Sequence, residues 1–129
     1  MLLALLLPAC SPLALPQKQM PAAGPNASYE KLIASEINSL FKDRASYQAF
    51  EISRARWVHA IKGWSWRTCV RFQDHGNRRT YTLFIKDGVV IDNRYAVETD
   101  GCNGETYAPF DPATGTLRPV SFGAQKPIY

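Results

Sequence analysis

The sequence lacks any apolar run close to the eighteen or so residues that a spanning helix needs, so it holds no helical membrane anchor. Histidine occurs twice and cysteine three times, too few for a zinc ribbon or finger. The Gly-x-Ser-x-Gly elbow, the His-Glu-x-x-His helix and the phosphate-binding glycine loop are all missing. Asp87, Asp92, Glu98, Asp100 and Glu105 are candidate calcium ligands, but their spacing does not match an EF-hand loop. There is no internal repeat, and no cofactor is expected. What remains is a chain of 129 residues, about one domain's worth. With 46% hydrophobic and 20% charged residues, its composition is that of a globular protein.

The first ten residues, MLLALLLPAC, hold a short apolar block at Leu2 to Leu7. As a helix it would measure only about 12 Å, which suits a signal-peptide core better than an anchor. Leu7-Pro8-Ala9-Cys10 resembles the lipobox that ends a bacterial lipoprotein signal. The resemblance implies a signal peptide over 1–9, cleavage before Cys10 and lipidation of its sulfur and new amino group. Ser11 stands where the inner-membrane retention signal has Asp, so the resemblance implies sorting to the outer membrane, on its periplasmic face. The positive segment expected before the apolar block is missing, since the first basic residue is Lys18. We read this as a start lying upstream. The competing reading is a plain apolar N-terminus, or an ordinary secretory signal with an incidental cysteine.

If Cys10 carries lipid, Cys69 and Cys102 remain as a pair. An even remainder in an exported chain is expected to form a disulfide. It would close a loop of about 34 residues, worth roughly 3–4 kcal/mol in the chain-entropy model. The alternative is two free buried thiols in a cytosolic protein.

Residues 10–27 hold the cysteine and then a proline- and alanine-rich linker, which extended at about 3.1 Å per residue reaches roughly 50 Å. Asn26-Ala27-Ser28 matches a glycosylation acceptor, discounted for a bacterial lipoprotein. From Ser28 to Lys42 apolar residues fall at helical spacing, with Tyr29, Ile33, Ile37, Leu40 and Phe41 on one stripe and Ser28 or Asn26 as cap. The period then changes to two. Phe50, Ile52 and Trp57 read as a first strand, interrupted by Arg54 and Arg56. Trp66 to Phe72 reads as a half-buried second strand, Tyr81 to Ile85 as a third and Val89 to Tyr95 as a fourth. Asp74 to Asn77 and Asp87-Gly88 carry turn signals. The expectation is an α+β fold over 28–110. One N-terminal helix packs on a four-stranded antiparallel meander in two layers, followed by an irregular tail at 111–129.

His75, beside Asp74, is a candidate base or ligand; its plain reading is an exposed hairpin turn. The basic residues are more suggestive, with a net charge of +4. Arg67 and Arg71 share a strand face with Cys69, and Arg79 and Arg94 lie on neighbouring hairpins. Together these four are the candidate binding face, with Trp57, Trp64, Trp66 and Tyr81 nearby. Such a face suits an anionic envelope component or another envelope protein; export makes nucleic acid a poor partner. The plain reading is the solvated side of a half-buried sheet.

Gly63 to Phe72, Arg79 to Phe84, Asp100-Gly101-Cys102 and Tyr107 to Phe110 resemble small exported lipoproteins of alphaproteobacteria. That resemblance spans roughly Tyr29 to Phe110. It implies an address and a fold, and no catalytic residues. The expected function is a cell-envelope lipoprotein with a non-catalytic binding or structural role, joined to the membrane through its lipid. The rival is a small periplasmic enzyme or redox protein using His75 or the cysteines.

Overall fold

The computed structural model describes residues 20–21, 24–25 and 28–117. The expected signal peptide at 1–9, Cys10, most of the expected linker and the tail beyond 117 lie outside the described residues. Helix α1 runs over Tyr29–Leu40 and buries Ile33, Ala34 and Ile37. Ser28 occupies the N-cap position without a side-chain capping bond. Leu40, assigned to the apolar stripe, is exposed, while Phe41 just past the helix is buried.

The rest of the described chain is mostly sheet, and here the four-stranded, two-layer meander is overturned. Seven antiparallel strands form one sheet: β1 (Tyr47–Ser53), β2 (Arg56–Ala60), β3 (Gly63–Asp74), β4 (Asn77–Lys86), β5 (Val89–Tyr95), β6 (Tyr107–Asp111) and β7 (Thr116–Leu117). Their order is β5-β4-β3-β1-β6-β7, and β2 pairs with β3. Two features caused the difference. The stretch read as one first strand breaks at Arg54-Ala55 into β1 and β2, which pair with opposite ends of β3. The four expected strands end at Tyr95, but Tyr107–Asp111 returns as β6 to pair with β1. Pro109 stands opposite Glu51, and β6 pairs with β7 only at Phe110 and Asp111, past the proline.

Both expected hairpins form, at His75-Gly76 and at Asp87-Gly88. His75 and Gly76 both have positive φ, as do Asp87 and Gly88, so each tight turn twists with its strands. The core lies between α1 and one sheet face, where Phe50, Ile52, Trp66, Val70, Phe72, Leu83, Ile85 and Phe110 meet the helix. Phe41 anchors it, with ring centroids 4.5 Å from Phe72 and 5.4 Å from Tyr81.

The second face does not meet water at its centre either. Ser65 to Val70 are buried without alternation. Short 3-10 turns at Glu98–Asp100 and Cys102–Gly104 bring a connecting segment over that face. Cys69 and Cys102 are disulfide-bonded there, with Cα atoms 5.7 Å apart. The half-buried strand of the sequence reading is therefore a central strand covered on both sides.

Candidate functional site

Strand alternation places Arg67, Cys69 and Arg71 on the same face of β3. Thr82 of β4 stands opposite Cys69, and Arg94 of β5 opposite Thr82. These side chains form one row across three strands. Arg79 does not join them. It pairs with Phe72, a residue of the core face, and so points to the other side of the sheet. There its Nε lies 3.8 Å from Asp74, with the side chain 55% exposed.

The disulfide decides what Arg67 and Arg94 do. Asp100 and Glu105 flank Cys102, so tying it to Cys69 carries both carboxylates onto the arginine row. Arg94 donates to Asp100 Oδ1 at 2.7 Å, and the Thr82 hydroxyl and Val97 N–H donate to Oδ2 at 3.0 Å each. Arg67 donates to the Asp100 carbonyl and to Glu105, which also accepts from Arg56. Arg71 donates to Glu51 at 2.9 Å, and its guanidinium sits over the Tyr107 ring.

Burial pushes the Asp100 carboxyl up, but the bonds from Arg94, Val97 and Thr82 outweigh it and leave the group below the usual carboxylate range. Glu105 follows the same logic, with burial opposed by Arg56 and Arg67. Asp100 in turn holds Arg94 above its ordinary value.

The candidate binding face is thus corrected in two respects. Arg79 is on the wrong side, and Arg67, Arg71 and Arg94 are engaged by carboxylates of the same chain. Arg67 is only 4% exposed, so an anionic partner would have to displace Glu105 to reach it. The row is an internal ion network that fastens the Cys102 segment to the sheet. A signal for it stood in the sequence, since Arg-Thr-Cys-Val-Arg and Asp-Gly-Cys-Asn-Gly-Glu carry opposite charges around the two cysteines.

Asp74 Oδ1 lies 2.6 Å from His75 Nδ1, on a turn where the His75 side chain is 68% exposed. The Tyr47 ring is its aromatic neighbour, at 5.9 Å. Cys69 and Cys102 are buried and bonded, away from any attacking thiol. Among the described residues, no group of three His, Cys, Asp or Glu side chains converges to hold a metal ion.

Two further surface features lie outside the arginine row. A cleft of about 500 Å³ opens where β1 parts from β6, lined by Arg44, Tyr47, Phe50, Glu51, Pro109 and Phe110. It follows from a bulge in β1 between Gln48 and Glu51, where Ala49 adopts φ 55°. Ala49 carries no residue-type signal for that conformation. The other feature is the β2–β3 hairpin. Trp57 and Trp64 stack at 6.1 Å, His59 meets the Trp64 ring edge-on, and Ile61 in the turn is 83% exposed. A second cleft, of about 560 Å³, runs beside that turn and is lined by Val58, Ala60, Ile61, Phe84, Val97 and Asp100 among others.

Comparison of the chain with protein-family models, with curated proteins and with solved structures finds no match.

Proposed function

We propose that the protein is a lipid-anchored component of a bacterial cell envelope. Cys10 holds it to the periplasmic face of the outer membrane, and its domain has a non-catalytic binding or structural role. The observation that carries this reading is the buried Cys69–Cys102 disulfide. Disulfides persist in oxidising compartments, and pairing these two cysteines leaves Cys10 as the odd one, behind Leu7-Pro8-Ala9. No helix among the described residues is long and apolar enough to cross a membrane, so attachment falls to the lipid in this reading.

The test is the intact mass of the mature protein from a bacterial membrane fraction, with and without thiol reduction. Expected are a chain beginning at an acylated Cys10 and a gain of about two daltons on reduction, one proton on each freed sulfur. A chain without lipid at Cys10 overturns the anchor.

A further inference from the structure

The β2–β3 hairpin collects features that the fold does not require. All three tryptophans of the chain, Trp57, Trp64 and Trp66, lie on it. Trp66 is buried in the core, whereas Trp57 and Trp64 are half-buried and stack on each other, Trp57 also packing on the edge of the core 5.3 Å from the Trp66 ring. The turn consists of Ile61-Lys62, followed by Gly63 at φ 92°, a common way to close a short hairpin. Such turns favour Asn, Asp, Gly, Ser and Pro, because these residues satisfy or permit the bend. A β-branched aliphatic residue at 83% exposure gains nothing there from folding.

Charge is patterned as sharply. From Ile52 to Gln73 there is no aspartate or glutamate, while Arg54, Arg56, Lys62, Arg67 and Arg71 are present. Arg56, Arg67 and Arg71 are engaged by Glu105 and Glu51, which leaves exposed Lys62, in the turn itself, to present charge at the tip. The tip therefore joins an aliphatic residue and a lysine, with the tryptophan pair behind them and no acidic residue of its own segment beside them. Tryptophan pairs an apolar body with a polar N–H and settles at the lipid headgroup boundary. Basic side chains next to it are drawn to anionic headgroups.

We propose that the β2–β3 hairpin tip docks the domain onto an anionic lipid bilayer, with Ile61 inserted and Trp57 and Trp64 at headgroup level. The inference deepens the envelope reading and rests on it: a lipid at Cys10 would keep the domain within reach of such a surface. It also moves the contact with an anionic partner from the arginine row, which is internally neutralised, to a surface that is not.

The experiment uses the full chain with Cys10→Ser, so that no acyl chain contributes. It is mixed with vesicles of phosphatidylcholine alone, or of phosphatidylcholine with phosphatidylglycerol. Co-sedimentation and tryptophan emission are read together. Expected are binding and a blue shift with the anionic vesicles, weakening as salt is raised. Ile61→Asn suits a turn and should leave the fold intact, checked by circular dichroism. It should weaken binding roughly tenfold or more, the worth of burying one such side chain. Lys62→Glu should weaken it about 25-fold, at about five-fold for each unit of charge. No binding to either vesicle, or binding unchanged in both variants, overturns the proposal. So does an Ile61-dependent capture of an envelope protein without vesicle binding, which would make the tip a protein-docking site. The mass measurement fails separately: loss of the anchor leaves vesicle binding to stand on its own, and loss of vesicle binding leaves the anchor in place.

Discussion

The guanidinium carbon of Arg71 sits 3.9 Å from the centroid of the Tyr107 ring, so a strand-β3 cation caps an aromatic residue on β6. The same tyrosine donates its hydroxyl to the Cys102 carbonyl at 2.6 Å. One side chain thereby links the central strand, the disulfide segment and the returning strand. Tyr107→Phe removes the hydroxyl bond and keeps the ring, and should cost about 1 kcal/mol. Tyr107→Leu removes both contacts and should cost a further 0.5–2 kcal/mol or so. Urea denaturation of the two variants beside the parent measures each step. Equal losses would mean that the stacked cation contributes nothing.

The Arg67–Glu105 pair is almost fully withdrawn from water, with side-chain exposures of 5% and 4%. Removing one partner strands the other charge. Glu105→Gln should therefore destabilise by roughly 3 kcal/mol or more. Adding Arg67→Met to that variant should recover part of the loss, since the stranded charge is then gone. A double-mutant cycle in denaturant checks the coupling. Strict additivity of the two single changes would contradict the network as described.

Asp100 and Glu105 both titrate below their ordinary values in the folded protein. The unfolded chain thus takes up protons first on acidification. The stability these groups supply is complete above the unfolded carboxylate range, about pH 4–5. It is lost as pH falls through their lowered folded values. Melting temperature should stay level from neutral pH to about pH 5 and then fall. The fall should be shallower in Asp100→Asn, measured relative to that variant's own neutral value. Parallel curves would show that Asp100 takes no part.

Reduction of the disulfide removes a constraint on the unfolded chain over a sequence separation of 33. The expected loss is about 3–4 kcal/mol. Because both sulfurs are buried, the native protein should resist mild reductant and lose the bond only as it unfolds. Thiol labelling against time, at two denaturant concentrations, follows this directly. Rapid labelling under native conditions would mean that the second face opens freely.

Ala49 holds φ 55°, a conformation that disfavours any residue with a Cβ. Ala49→Gly should stabilise the protein by about 0.5–1 kcal/mol. This is a net figure, after the greater freedom of glycine in the unfolded chain is set against the relief. Thermal unfolding reads the sign. A loss of stability would place the worth of Ala49 in its methyl packing.

Local signals proved readable where one chemistry dominated. The helix stripe through Ile33 and Ile37 and the Asp87-Gly88 turn were legible because each depends on neighbours in sequence. The pairing of Cys69 with Cys102 is legible from parity and the expected export. The return of Tyr107–Asp111 beside β1 was not legible. Its register is set by contacts some 55 residues away, and Pro109 argued locally against a strand. The arginine row was half legible. Alternation puts Arg67 and Arg71 on one face, while Arg94 joins them only through the β4–β5 register, and the carboxylates on Arg67 and Arg94 arrive through the disulfide. Arg79 was misplaced for want of a register across the β3–β4 turn, where Phe72 and Arg79 face each other.

Strands β1 and β2 are fastened separately to the two ends of β3, and the break at Arg54-Ala55 lies between the fastenings. β1 is held from both sides, by β3 and β6, whereas β2 pairs with β3 alone among the described strands. Backbone amides should therefore exchange with solvent on two scales. Those of Arg56 to Ala60 should open in a small local event, and those of Glu51 to Ser53 only when the whole domain unfolds. A hairpin that can loosen by itself can adapt its angle to whatever it meets while the rest of the sheet stays closed.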